Sequence, residues 1–173
     1  LLPGVFQRTI REGTPLFALL EVMEALQAAD EAVLDQLDTF FDPYRAPDAF
    51  VLFLANWVDL GWLLAETPED YRAIPALPLA SGLGRLRELV AAATSLAQWR
   101  GTVKGLLGFL ETATGVSGFV IEEQVAGADG RIRPFHIRVS IPRETATYRA
   151  MIERIVEAEK PAYVTCEFRI AGQ

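Results

Sequence analysis

An α+β fold is predicted by a change of hydrophobic period near residue 115. An N-terminal helical bundle with a long heptad-patterned helix gives way there to a small β-β-α-β module. Before that point apolar residues recur at steps of three and four. After it, Phe135, Ile137, Val139 and Ile141 alternate with His136, Arg138 and Ser140. Composition agrees: of 173 residues, 51% are hydrophobic and 23% charged, the balance of a chain that can bury a core. The expected division is a helical region over 1–115 and an α+β module over 116–173.

The long helix starts at Thr14-Pro15, since Thr is a favoured N-cap and Pro suits the first helical position. Leu19, Met23, Leu26, Asp30, Val33, Leu37 and Phe40 then follow at alternating steps of four and three, a heptad stripe broken only by Asp30. Leu16, Leu20 and Leu34 widen the stripe. Phe41-Asp42-Pro43 ends it, because the residue before a proline is pushed out of the helical region. A second helix runs from about Pro47 to Leu60. It is apolar on nearly every side, as a helix buried from several directions would be. Thr67-Pro68-Glu69-Asp70 repeats the Thr-Pro start with acids in the first turn. Residues 74–84 read as an irregular connection rich in Pro and Gly.

A helix opening at Ser81 or a neighbour carries Leu86, Leu89, Val90, Ala93, Leu96 and Ala97 on one face and ends at Trp99-Arg100-Gly101. Thr102 caps the next, which Gly115 terminates. In the module, Phe119, Ile121 and Val125 suggest a strand and Gly127–Gly130 a turn. Phe135–Ile141 is a strand with one wet and one buried face, and Pro142 stops it. Thr145–Glu159 is helical, with Tyr148, Ile152, Ile155 and Val156 inward, and Tyr163–Ile170 is the closing strand.

Several chemistries find no support. One Cys and one His furnish neither an internal disulfide nor a structural zinc site. No apolar run of about 18 residues is free of charge, so no membrane insertion is expected. The chain opens Leu1-Leu2-Pro3 without methionine or a basic-then-apolar leader, so no secretion signal is expected and the start reads as trimmed. Residues 1–80 carry 13 acidic and 4 basic side chains and residues 81–173 carry 10 and 12, nets of −9 and +2 that sum to −7. Without a clustered basic face no nucleic-acid partner is expected, although head-to-tail contact with a partner of opposite sign would suit.

His136, on the polar phase of its strand, has no local carboxylate or nucleophile and reads as a surface residue. Cys166 reads as a small buried hydrophobe. Gly101, Gly105 and Gly108 follow a helix rather than a strand, so they permit close helix approach and are not a phosphate loop. Glu66, Glu69 and Asp70 are explained by a helix start. Trp57, Trp62 and Trp99 sit among apolar helix residues and read as core or interface anchors. No catalytic, cofactor-binding or metal-ligating residue is expected.

Three blocks in order carry a resemblance. The first is Leu2-Pro3-Gly4-Val5-Phe6-Gln7, the long helix, Phe41-Asp42-Pro43-Tyr44-Arg45-Ala46-Pro47 and Phe53-Leu54-Ala55-Asn56-Trp57-Val58. The second is Trp99-Arg100-Gly101-Thr102-Val103-Lys104-Gly105-Leu106, ending at Thr114-Gly115-Val116. The third is His136-Ile137-Arg138-Val139, a helix, and Lys160-Pro161-Ala162-Tyr163. Over nearly the whole chain this resembles the phage tail protein domain family related to phage tail protein I, found in contractile phage tails and phage-tail-like contractile injection systems. The connection over 75–84 is longer and looser than that pattern.

The resemblance implies a structural, non-enzymatic component of the baseplate wedge, which surrounds the central hub and spike and bears the sheath. It implies a larger J-type baseplate protein as partner through helical bundles, with hub and sheath-proximal components nearby, in a large hetero-oligomer. It implies assembly in the cytoplasm and residence in a virion or extracellular particle, with no cofactor. Leu19, Met23, Leu26, Asp30, Val33, Leu37 and Phe40 are then the expected partner interface, and Arg100, Gly101 and Thr102 a structural joint. A free-standing helical adaptor that binds a protein through the same stripe is the alternative, and an unrecognised hydrolase the third reading.

Overall fold

A computed structural model describes residues 3–8, 10–64, 79–127 and 130–171. The described residues form the α+β fold anticipated from the change of period. They fall into two compact units, one up to Phe41 and one from Asp42 on. The Thr67-Pro68 helix start, Glu66, Glu69, Asp70 and residues 74–78 of the connection lie outside the described residues.

The first unit holds α1 (Gly4–Gln7), α2 (Pro15–Leu34) and α3 (Leu37–Phe41). Thr14 caps α2 as expected: its Oγ1 accepts the Phe17 N–H at 3.4 Å and donates to the Arg11 carbonyl at 2.7 Å. The heptad stripe does not run through one continuous helix. Gln36 N–H bonds to Val33 O at 3.2 Å, and the chain turns at Asp35 and Gln36 before α3 begins. Asp30, Glu31 and Asp35 lie at the negative end of the α2 dipole, with no basic residue in its last turn to offset them.

The second unit begins with a loop held by Asp42, whose Oδ1 accepts the Tyr44 N–H at 2.9 Å. α4 (Asp48–Trp57) follows, then α5 (Gly61–Leu64), α6 (Leu83–Gln98) and α7 (Val103–Thr114). α4 is shorter than expected and buries one face only, Val51, Leu54 and Ala55, while Trp57 is 63% exposed. It ends because Asp59 turns left-handed at φ 60, with Leu60 N–H on Ala55 O at 2.8 Å and Asp59 N–H on Asn56 O at 3.3 Å. That is a Schellman closure, built on an aspartate rather than on a glycine.

α6 is capped by Gly82. Ser81 instead donates its hydroxyl to Ala113 O at the far end of α7. Leu86, Leu89, Val90 and Ala93 are buried as their spacing requires. Leu96 is half-buried and Ala97 exposed.

The sheet has the order β1 (Val120–Glu122), β2 (His136–Ile141), β3 (Thr165–Ile170), antiparallel then parallel. A 3₁₀ turn (Arg143–Tyr148) and α8 (Arg149–Glu159) make the crossover between the parallel strands. Ile121, Val139 and Phe168 align on one face with Ile137, Cys166 and Ile141 and join the core. That core is continuous from Ala46 through the helices α4–α7 to Val139, Ile141 and Val156. The compact units divide at Asp42, and residues on both sides of Gly115 share one core. A sheet of three strands buries too little by itself, and α7 and α8 supply its missing layer.

Candidate partner interface

The heptad stripe is exposed in this chain. Leu26 is 74% accessible, Leu19 56%, Val33 52%, Met23 49% and Leu37 45%, and Asp30 is exposed with them; Phe40 is half-buried. Val22 and Leu34 extend the apolar surface, and α2 contributes no buried residue at all. Contiguous exposed apolar surface of this kind marks interaction sites on stable proteins. Its continuous helical part spans Leu19 to Val33, two heptads, because α3 starts a new helix at Leu37.

The Arg100-Gly101-Thr102 corner is a tight helix–helix joint. Gly101 takes φ 76, a conformation that a side chain disfavours. Thr102 caps α7 by accepting Gly105 N–H at 3.1 Å, while its N–H and hydroxyl both donate to Trp99 O, at 3.1 and 2.7 Å. Gly105 lets that carbonyl come close, since a Cβ there would stand 2.0 Å from Trp99 O. Arg100 reaches from the corner to α8, with Nε 3.5 Å from Glu159 Oε1 and Nη2 donating to Ala158 O at 3.2 Å. Its Nη1 is 3.7 Å from Asp59 Oδ2. Glu159 is only 8% exposed, and its burial pushes its carboxyl pKa up, with Arg100 pulling the other way.

Arg87 was not singled out from the sequence, yet it organises the Asp42–Asp48 loop. Its Nη1 donates to the Pro43 and Ala46 carbonyls and its Nη2 pairs with Asp48 at 2.6 Å. Only its place on α6, one residue off the buried face, hinted at this.

His136 is not the surface residue its phase suggested; it is 5% exposed. Parallel pairing with β3 brings Thr165 Oγ1 to 2.7 Å from Nδ1 and Glu167 Oε2 to 3.2 Å from Nε2, and Arg133 Nη1 lies at 3.3 Å. Glu167 also pairs with Arg138, which pairs with Glu122 at 3.1 Å. The Arg138 hydrogen bond, then that of His136, holds the Glu167 carboxyl below its ordinary range. A hydroxyl, an imidazole and a carboxylate are thus in line, but Thr165 donates to Phe135 O at 3.2 Å. The Thr165 hydroxyl lies between two partners, Phe135 O and His136 Nδ1, and ties the imidazole to the start of β3. The cluster is an ion ladder across the open sheet face.

Cys166 sits half-buried on the apolar face, and burial raises its thiol pKa. Of the tryptophans, Trp62 is buried against Phe109 at 5.9 Å between ring centroids. Trp99 is 46% exposed, with the Lys104 ammonium 3.8 Å from its ring centroid. A groove of about 300 Å³ lies between the α7 N-terminus and the start of β2, rimmed by the edge-to-face pair Phe135–Tyr163. Among the described residues no helix is long and apolar enough to cross a membrane, and no group of three or more His, Cys, Asp or Glu could hold a metal ion. No protein-family model matches the chain, and no curated protein matches it.

Proposed function

We propose that this chain is a non-enzymatic assembly protein, the baseplate wedge component of a contractile phage tail or contractile injection system. In this reading the α2 stripe docks on a larger J-type baseplate protein, near the hub and the sheath-proximal components. The observation that carries the docking role is the exposed apolar stripe Leu19, Met23, Leu26 and Val33 on a helix with no fully buried residue. The assignment to a tail rests on the order of the three sequence blocks. Two of them meet around the corner at Gly101, where Pro161 Cγ lies 3.8 Å from the position a Cβ would take. Particle residence after cytoplasmic assembly follows from the same reading.

The test is co-purification from the native host with the wild-type chain and with Leu26→Asp/Val33→Asp. Baseplate proteins should be recovered with the first and lost with the second, while circular dichroism stays native for both. Recovery of an unrelated regulatory protein would favour a free-standing adaptor. An unfolded double variant would place the stripe in the chain's own core and refute the docking role.

A further inference from the structure

We infer that the α2 seam excludes a second copy of this chain and takes a partner helix carrying positive charge opposite Asp30. The inference rests on the proposal that the stripe is a docking seam. No Lys or Arg occurs between Arg11 and Arg45, while Glu12, Glu21, Glu24, Asp30, Glu31, Asp35, Asp38 and Asp42 all do. Within α2, Glu21, Glu24, Asp30 and Glu31 are exposed and, among the described residues, unpaired. Asp30 is the polar member of the seam itself, flanked one step away by Leu26 and Val33. The other acids lie off the seam and add a field of one sign.

Self-association fails in either orientation. Two parallel copies in register would set Asp30 against Asp30, like charges across the seam. An antiparallel pair centred on Leu26 would bury Asp30 against the Met23 region, a carboxylate without a partner. The same acidity opposes docking on an anionic lipid surface. A helix with an apolar seam and one Lys or Arg facing Asp30 resolves both costs, since the cation pairs the carboxylate and sets the register.

The test uses the full chain and two synthetic helical peptides of about four heptads with identical Leu/Ile seams. One carries Lys at the central seam position and on the flanks, and the other carries Glu there. Titration calorimetry at low and high salt should show the Lys peptide binding about tenfold tighter or more, with the advantage shrinking as salt rises. Asp30→Asn should remove most of that advantage and leave the helix content unchanged. In sedimentation velocity the wild-type chain should remain a monomer and Asp30→Leu should dimerise. Equal affinity for both peptides, or wild-type dimers lost on Leu26→Asp, would overturn the charge inference while leaving a docking seam in place. If neither peptide binds, the docking seam falls as well.

Discussion

Gly105 and Gly108 sit one turn apart on α7, and the same substitution should act on them with opposite sign. At Gly105 an alanine Cβ would meet Trp99 O at 2.0 Å, Trp99 C at 2.6 Å and Trp99 Cβ at 2.9 Å. Carbon–oxygen contacts settle at about 3.3 Å or more, so the α6–α7 corner must open by about 1 Å. The atoms in the way are backbone, and that carbonyl already accepts two bonds from Thr102. Overpacking costs about 1–3 kcal/mol and each weakened hydrogen bond about 1 kcal/mol, against a helix-propensity gain of about 1 kcal/mol. Gly105→Ala should therefore destabilise by about 2–3 kcal/mol. At Gly108 the nearest atom is Leu96 Cδ2 at 3.5 Å, an ordinary contact. Gly108→Ala should keep the propensity gain and stabilise by about 0.5–1 kcal/mol. With a urea m-value of about 1–3 kcal/mol/M, the two midpoints should separate by about 1–2 M or more at equal m. Equal shifts in the same direction, or a stabilised Gly105→Ala, would refute the close approach of helix and carbonyl.

Gly101→Val should cost about 1–2 kcal/mol through its left-handed conformation, read as a lower denaturation midpoint; an unchanged midpoint would show that the joint tolerates a side chain. Arg100→Ala should cost about 1–2 kcal/mol at pH 7, because Glu159 then keeps its charge in a buried place with its cation gone. The Glu159 pKa is raised, so its contribution to stability is whole below the unfolded-state pKa and is lost as pH rises through the folded one. The deficit of the variant should accordingly grow from about pH 4 to pH 7, and a deficit independent of pH would count against the pairing. The Glu167 pKa is lowered, so its contribution is present above the unfolded value of about 4.3 and disappears as pH falls through the folded one. Glu167→Gln should flatten that acid limb in urea titrations at pH 2–5, and an unchanged limb would sever Glu167 from the ladder.

Local chemistry alone set much of this molecule. The Thr14 and Thr102 caps, the Gly115 terminator, the buried face of α6 and the shift to strands after residue 115 all depend on neighbours within a turn or two, which the order of residues displays directly. The break at Asp35 and Gln36 was not legible: the regular heptad read as one continuous helix, and the turn marked by the Gln36–Val33 hydrogen bond interrupts it. What tertiary structure alone decided concerns residues far apart in the chain. Parallel pairing set Glu167 and Thr165 beside His136 across 31 and 29 positions, which turned a wet-face histidine into a buried one. Arg87 found its carbonyls 41 and 44 positions away. Periodicity reports which face of an element is apolar. What covers that face depends on the other elements: the sheet found α7 and α8, while Leu19, Met23, Leu26 and Val33 of α2 are exposed among the described residues.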